Sequence, residues 1–238
     1  MKYIFSDYDG TIKRFTGSPD FVDQIFLNYD RKAIDDFIKS GNKFIVITGR
    51  STDSILNSIS KYNINYDYII SYDGRVCIDK NNNVIYAKYL NKSVIDIVER
   101  NKLGKISSIC GVFGNSTDYN DMIYLIVDTN IKKIDDLKKY YPNIEFTYYR
   151  LLGKLILSFP FDKKMAIDEL RKKYNLDSSN IYTIGDGKND KTMLEAYNGY
   201  KMLVCYPSLY NMNINTVTSV HSLIKKIKWY CYIYKIII

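Results

Sequence analysis

The opening eleven residues constrain the fold more than any other stretch. Residues 3–6 are a short apolar run that ends in two carboxylates one residue apart, Asp7 and Asp9, followed by Gly10 and Thr11. A short apolar run closed by a glycine reads as a buried strand running into a turn. Two acids there contribute nothing to a core. They suit a binding crevice, which in an α/β sheet lies beyond the carboxyl ends of the strands. The arrangement recurs. Residues 43–47 are almost continuously apolar and end in Thr48-Gly49-Arg50. Residues 68–70 end in Ser71-Tyr72-Asp73-Gly74. Residues 181–184 end in Gly185-Asp186-Gly187-Lys188-Asn189-Asp190.

Between these runs lie segments with helical spacing, at 30–40 (stopped by Gly41), at 51–61, at 163–174 and at 191–197. Strand, helix, strand, helix, strand with short connections is the signature of a parallel sheet with helical crossovers. The rhythm changes in the middle third. Residues 76–79 and 84–88 flank Lys80-Asn81-Asn82-Asn83 as a hairpin. A helix is expected over 92–102, a strand over 122–128, a helix over 131–140 and strands over 144–149 and 154–159. Glycines 104, 111 and 114 leave no regular pattern over 103–121. A last short strand is expected over 201–205, and a helix over 219–231. The fold class is therefore α/β, a doubly wound parallel-sheet core over 1–75 and 160–238 with an inserted α+β cap over 76–159.

Composition narrows the setting. Hydrophobic residues make up 46% of 238, enough for a sizeable core. Four widely spaced cysteines without a CxxC pair read as thiols of a reducing compartment, so a cytoplasmic location is expected. The chain opens as a strand with acids at 7 and 9, unlike a signal peptide, and no apolar run is long enough to span a bilayer. The net charge of +8 is spread over dispersed lysines, and the 24 tyrosines form no base-stacking motif, so nucleic acid is not expected as a partner. The apolar tail 232–238 is expected to pack as a terminal element or as a homo-oligomer contact.

In a parallel sheet the strand ends share one edge, so Asp7, Asp9, Thr48, Asp186 and Asp190 can meet there with Lys163, which opens a helix. Converging carboxylates repel, and burying them unpaired is costly. A hard cation such as Mg²⁺ resolves this, since it takes carboxylate oxygens together with substrate phosphate. One carboxylate can then attack phosphorus, and a second can protonate the leaving oxygen and later activate water. Lys163 and the Thr48 hydroxyl suit the charge on phosphoryl oxygens.

These residues carry a family resemblance. Asp-Tyr-Asp-Gly-Thr at 7–11, Ile-Thr-Gly-Arg at 47–50, Asp-Lys-Lys-Met-Ala-Ile at 162–167 and Gly-Asp-Gly-Lys-Asn-Asp at 185–190, followed by Met193-Leu194, resemble the motifs of the haloacid dehalogenase superfamily. They are similar in particular to its Cof-type sugar-phosphatase branch. The resemblance implies a Mg²⁺-dependent phosphatase that hydrolyses a small phosphorylated metabolite through an aspartyl-phosphate. By the same resemblance Asp7 is nucleophile and metal ligand, and Asp9 is general acid/base with its carbonyl on the metal. Thr48, Gly49, Lys163 and Asn189 bind the phosphoryl group, and Asp186 and Asp190 complete the metal site. A phosphomutase and a non-catalytic phosphate-binding regulator remain as alternative readings.

The chain departs from the branch in four places. Ser71-Tyr72-Asp73-Gly74 stands for Ser-Asn-Gly-Ala, Lys164 replaces a glycine, and Cys205-Tyr206-Pro207-Ser208 replaces a Met-Gly-Asn-Ala segment. The cap is also short. Arg50 is expected to pair with an acid on the core surface and His221 to lie at the surface. Tyr119, Tyr124, Tyr148 and Tyr149 are expected in packing roles.

Overall fold

The computed structural model describes residues 1–15, 24–129 and 134–227. Strand β1 (Tyr3–Ser6) leads through an antiparallel pair, β2 (Lys13–Phe15) and β3 (Gln24–Phe26), to helix α1 (Asn28–Lys39). Then come β4 (Lys43–Ile47), α2 (Thr52–Tyr62), β5 (Tyr68–Ser71) and the hairpin β6 (Val76–Asp79) and β7 (Val84–Ala87). The middle of the chain forms α3 (Val94–Arg100), β8 (Lys105–Gly111), β9 (Gly114–Asn115), β10 (Tyr124–Asp128), α4 (Asp135–Tyr140), β11 (Glu145–Tyr149) and β12 (Lys154–Ser158). The last part forms α5 (Lys163–Tyr174), β13 (Ile181–Gly185), α6 (Lys191–Ala196), β14 (Asn198–Met202), β15 (Asn215–Val217) and α7 (220–227). Helices α2 and α5 each end at an asparagine in the left-handed conformation, Asn63 and Asn175, the residue type that adopts it most readily after glycine.

The larger sheet has the order β15-β14-β13-β1-β4-β5-β6-β7. Six strands run parallel, from β15 through β5, and the β6–β7 hairpin closes one edge antiparallel. β1 lies centrally, and the chain leaves it toward β4 and later returns to β13 on its other side. That reversal is the switch point at which α/β sheets open a crevice. Side chains on β1 alternate between two cores. Ile4 joins Ile34, Phe37, Ile55, Ile59, Leu223 and Ile224 from α1, α2 and α7. Phe5 joins Ala166, Ile167, Leu170, Met193 and Leu194 from α5 and α6. Both faces of the sheet are therefore covered, which is why β1 and β4 are apolar without alternation. Each such buried side chain contributes roughly 1.5–3 kcal/mol.

The second sheet, in the order β11-β12-β10-β8-β9, is wholly antiparallel. Its strands show a period of two. Leu125, Val127, Phe146, Leu155 and Leu157 pack with Val94, Val98 and Leu137 of α3 and α4. Tyr124, Thr147, Tyr149, Ile156 and Ser158 point the other way, into a cavity against the larger sheet. Val112 and Ile123 are buried in the core beneath α1 and α2, so the two sheets share packed surface.

Several expectations shift. The hairpin at 76–87, which the sequence division places with 76–159, is hydrogen-bonded into the larger sheet through β5, because its apolar residues Val76, Cys77 and Ile78 extend that core. The stretch 103–121 contains β8 and β9, joined by a turn that Gly114 makes with φ +116°. Helix α3 is shorter than expected. The strand expected at 201–205 begins at Asn198, and a further strand, β15, forms the sheet edge. The start of the expected 131–140 helix, the end of the 219–231 helix and the apolar tail 232–238 lie outside the described residues. Among the described residues no helix is long and apolar enough to cross a membrane.

Candidate active site

Local sequence places four charged groups at one point. Asp7 follows β1 directly, and its N–H donates to the Ile184 carbonyl at 2.9 Å, so it stays in register with β13. Asp186 follows β13 in the same way. Asp162 caps α5 by accepting the Met165 N–H at 2.7 Å, which starts the helix at Lys163 and buries that lysine in its first turn. Asp190 ends the glycine-rich loop after β13. Its Oδ2 accepts the N–H groups of Asp186 and Gly187 at 3.0 and 2.8 Å, which folds the loop back on itself.

The Lys163 Nζ lies 2.6 Å from Asp7 Oδ1 and 2.6 Å from Asp190 Oδ1, and all three side chains are essentially buried. Oxygens of Asp7, Asp186 and Asp190 lie within 4.8 Å of one another. Thr11 Oγ1 donates to Asp186 Oδ1 at 3.0 Å. Gly10 makes this approach feasible. Its φ is +83°, and a Cβ there would stand 2.1 Å from Asp186 Oδ2. Gly185 is similarly required, since its Cβ would stand 2.4 Å from the Asp190 carboxyl carbon.

Electrostatics state the problem this cluster must solve. Three buried carboxylates face one ammonium. Burial raises the Asp7 carboxyl well above its ordinary range, Asp190 and Asp186 raise it further, and Lys163 opposes them. Burial and Asp190 push Asp186 up to about 7. Burial works against the Lys163 charge, but Asp190 and Asp7 overcome it and hold the ammonium protonated. The surplus negative charge must be met by a proton or by a cation. An all-oxygen donor set with raised proton affinity fits a hard divalent ion such as Mg²⁺.

The other expected residues surround this cluster. Asp9 accepts two hydrogen bonds from Arg50, Nε to Oδ2 and Nη2 to Oδ1, each 2.6 Å. This is the acid pairing anticipated for Arg50, whose guanidinium also lies 5.0 Å from the Tyr8 ring centroid. Thr48 is buried, and its hydroxyl accepts the Arg50 N–H at 3.2 Å. Asn189 Nδ2 donates to Asp73 Oδ1 at 2.8 Å. Gly49 faces the same carboxylate, since a Cβ there would lie 3.0 Å from Asp73 Oδ1. Asp7, Lys163, Asp186 and Asp190 thus converge directly, whereas Asp9, Thr48, Gly49 and Asn189 are held through Arg50 and Asp73. Lys164 is separate from the site and pairs with Asp168 on the helix surface.

A cavity of about 760 Å³ opens between the two sheets, with Lys163, Asn189 and Asp73 on one wall and Tyr124, Tyr149 and Glu145 on the other. Tyr124 and Tyr149 therefore line this space. Tyr119 is exposed, Tyr148 packs beside α3 and α4, and His221, expected at the surface, is half-buried against Tyr29 with its backbone N–H donating to Asp30 at 2.8 Å. Sequence reasoning missed Thr11 as a partner of Asp186. It also missed Arg75, which is 3% exposed and donates to the Phe159 carbonyl, the Tyr72 carbonyl and Glu145. Thr11 stood inside the first motif and could have been found there. Arg75 has no local signal, because all but one of its acceptors are distant in sequence.

The model of the haloacid dehalogenase-like hydrolase family matches residues 4–109 and 99–204. An uncharacterized protein of Mycoplasma capricolum is 26% identical over 258 aligned positions, covering 90% of this chain and 93% of that one. A phosphatase of the haloalkanoate enzyme superfamily from Bacteroides thetaiotaomicron shares the fold with a TM-score of 0.73 at 18% identity, over 96% of this chain and 94% of the other. A subclass IIB sugar phosphatase shares it with a TM-score of 0.68, also at 18% identity, over 97% and 99%.

Proposed function

Because the chain belongs to the haloacid dehalogenase-like hydrolase family, we propose that it is a Mg²⁺-dependent phosphomonoesterase acting on a small phosphorylated metabolite through an aspartyl-phosphate. The observation that carries this reading is the buried Lys163 ammonium bridging Asp7 and Asp190, with Asp186 beside them. Asp7 and Asp186, with the Asp9 carbonyl, would hold the ion. Asp190 belongs to the same acid set and acts on it by holding Lys163 and the Asp186–Gly187 backbone. When bound, Mg²⁺ supplies positive charge that offsets the surplus carboxylates and the phosphoryl oxygens.

The Asp7 carboxylate attacks phosphorus, and the bond from phosphorus to the leaving oxygen breaks. Asp9 gives the leaving oxygen its proton and in the second half takes one from the attacking water. That attack breaks the bond between phosphorus and Asp7 and releases inorganic phosphate. Arg50 orients Asp9 from the side, so one of its two hydrogen bonds must be exchanged for the substrate oxygen during transfer. Lys163, Thr48, the Gly49 backbone and Asn189 hold the phosphoryl group. The second sheet with α3 and α4 serves as the cap, and the cavity between the sheets takes the leaving group and excludes water. Free thiols at Cys77, Cys110 and Cys205 fit a cytoplasmic setting.

The test is hydrolysis of p-nitrophenyl phosphate with and without MgCl₂, in the wild type and in Asp7→Asn. Turnover is expected to require Mg²⁺, to release inorganic phosphate and to vanish in the variant. Persistent activity in Asp7→Asn removes the nucleophile assignment. Phosphoryl transfer without free phosphate marks a mutase instead.

A further inference from the structure

Asp73 lines the cavity on the wall it shares with Lys163 and Asn189. Asp73 sits there on an unusual backbone. Tyr72, Asp73 and Gly74 all have positive φ, +52°, +52° and +108°. Left-handed backbone is disfavoured for side-chain-bearing residues, and two in succession persist only where the surroundings hold them. Here the Tyr72 N–H donates to the Arg50 carbonyl at 2.8 Å and the Asp73 N–H to the Thr48 carbonyl at 3.0 Å. The Tyr72 hydroxyl donates to the Gly111 carbonyl at 3.0 Å, and its ring packs edge-on to Tyr124 at 4.9 Å. The strained turn therefore fixes one side chain, Asp73, at the mouth of the cavity.

Charge bookkeeping in the cavity wall shows what that side chain lacks. Arg75 is paired with Glu145, and Lys163 with Asp7 and Asp190. Asp162 is engaged as the α5 cap. Asp73 Oδ1 accepts only the Asn189 amide, and Oδ2 accepts no hydrogen bond among the described residues. Lys188, in the loop that carries Asn189, likewise forms no ion pair among the described residues. The cavity thus offers an ammonium, Lys188, and a carboxylate, Asp73, that form no ion pair among the described residues, although Asp73 lies near enough to Lys163 to help hold that ammonium protonated. Across the cavity stand the phenol ring of Tyr149 and that of Tyr124, whose face carries the Arg75 guanidinium 5.4 Å from its centroid. Burial first, then the Asp73 and Glu145 charges, raise the Tyr149 hydroxyl, and at Tyr124 burial outweighs the opposing Arg75 charge with help from Asp73, so both rings stay neutral. A carboxylate across a cavity from a neutral aromatic ring is chemistry that recognises an organic cation.

We infer that the cavity selects zwitterionic phosphomonoesters, whose leaving group carries an ammonium that docks on Asp73, facing Tyr149 across the cavity. This rests on the phosphatase reading and names its substrate class. An asparagine at position 73 would offer both a donor and an acceptor and could satisfy a hydroxyl equally well. A carboxylate only accepts, and it gains most from a charged donor. The volume of about 760 Å³ admits a hexose phosphate.

The experiment compares matched pairs that differ in an ammonium against a hydroxyl: glucosamine 6-phosphate with glucose 6-phosphate, and phosphoethanolamine with 2-hydroxyethyl phosphate. Wild-type kcat/KM is expected to favour the ammonium member of at least one pair by about tenfold. In Asp73→Asn the ratio is expected to fall to within about twofold of unity. Asparagine tolerates the left-handed backbone and can still accept from Asn189, and an unchanged thermal midpoint reports that the fold is intact. Dissociation constants for the same pairs, measured by calorimetry on Asp7→Asn, carry the inference independently of turnover. Equal affinity within both pairs, binding of neither ammonium compound, or a preference that survives Asp73→Asn overturns it. Absence of Mg²⁺-dependent p-nitrophenyl phosphate hydrolysis is the separate result that overturns the phosphatase reading.

Discussion

Replacing Asp186 by asparagine should stabilise the metal-free protein at alkaline pH, although the residue belongs to the candidate active site. In the fold Asp186 is pushed from 3.8 up to about 7, by burial first and by Asp190 second. In the unfolded chain it ionises near its ordinary value. Between roughly pH 4 and 7 the folded state therefore binds the extra proton, and stability falls as pH rises across that window. Each pH unit is worth ~1.4 kcal/mol, so the accumulated cost above pH 7 is ~4 kcal/mol. Asparagine mimics the protonated acid and can still accept the Thr11 hydroxyl. For a chain of this size that difference is roughly 10 °C in thermal midpoint. The assay is thermal unfolding in EDTA from pH 5 to pH 8, repeated with MgCl₂. The variant should lead the wild type by about 1.5 kcal/mol at pH 5 and by ~4 kcal/mol at pH 8. Added Mg²⁺ should raise the wild-type midpoint, more at pH 8 than at pH 6, and leave the variant nearly unmoved. A variant that is less stable than wild type in EDTA at pH 8, or a gap that does not widen with pH, refutes the charge-surplus argument.

Three further outcomes follow from the same geometry. Lys163→Met strips from Asp7 and Asp190 the one cation that forms ion pairs with them among the described residues, and should cost ~3–5 kcal/mol by chemical denaturation at pH 8 along with all turnover. Gly10→Ala places a Cβ 2.1 Å from Asp186 Oδ2 on a backbone with φ +83°, so it should cost ~2 kcal/mol or more and weaken Mg²⁺ binding measured by calorimetry. Arg50→Ala releases a half-exposed pair, so stability should change by less than ~1 kcal/mol. Its effect should appear in kcat for p-nitrophenyl phosphate, about 10–100-fold lower with little change in KM, because Asp9 loses its orientation.

How much was legible depended on the range over which each signal acts. The parallel strands are short apolar runs closed by polar, glycine-containing turns, and α5 is announced by its Asp162 cap and ends at Asn175; all are local patterns. β8 and β9 were not legible, because Gly111 and Gly114 obscure the strands while serving the turn between them. β15 has only three residues and is a strand by virtue of its pairing with β14. The hairpin at 76–87 reads as a hairpin, yet its membership in the larger sheet depends on pairing with β5, which no local pattern encodes.

The candidate site divides in the same way. By itself the sequence determined which residue types stand at the strand ends and in what order, because motif spacing and strand termination are properties of neighbouring residues. The resemblance pointed to Lys163 over Lys164, and the tertiary structure supplied the physical reason, since the helix phase set by Asp162 buries the first and leaves the second on the helix surface. The structure alone also placed Arg50 on Asp9 and left Asp73 without an ion pair among the described residues. Those are contacts between segments dozens of residues apart, and their charge balance exists only once folding brings the groups together in a place with little water.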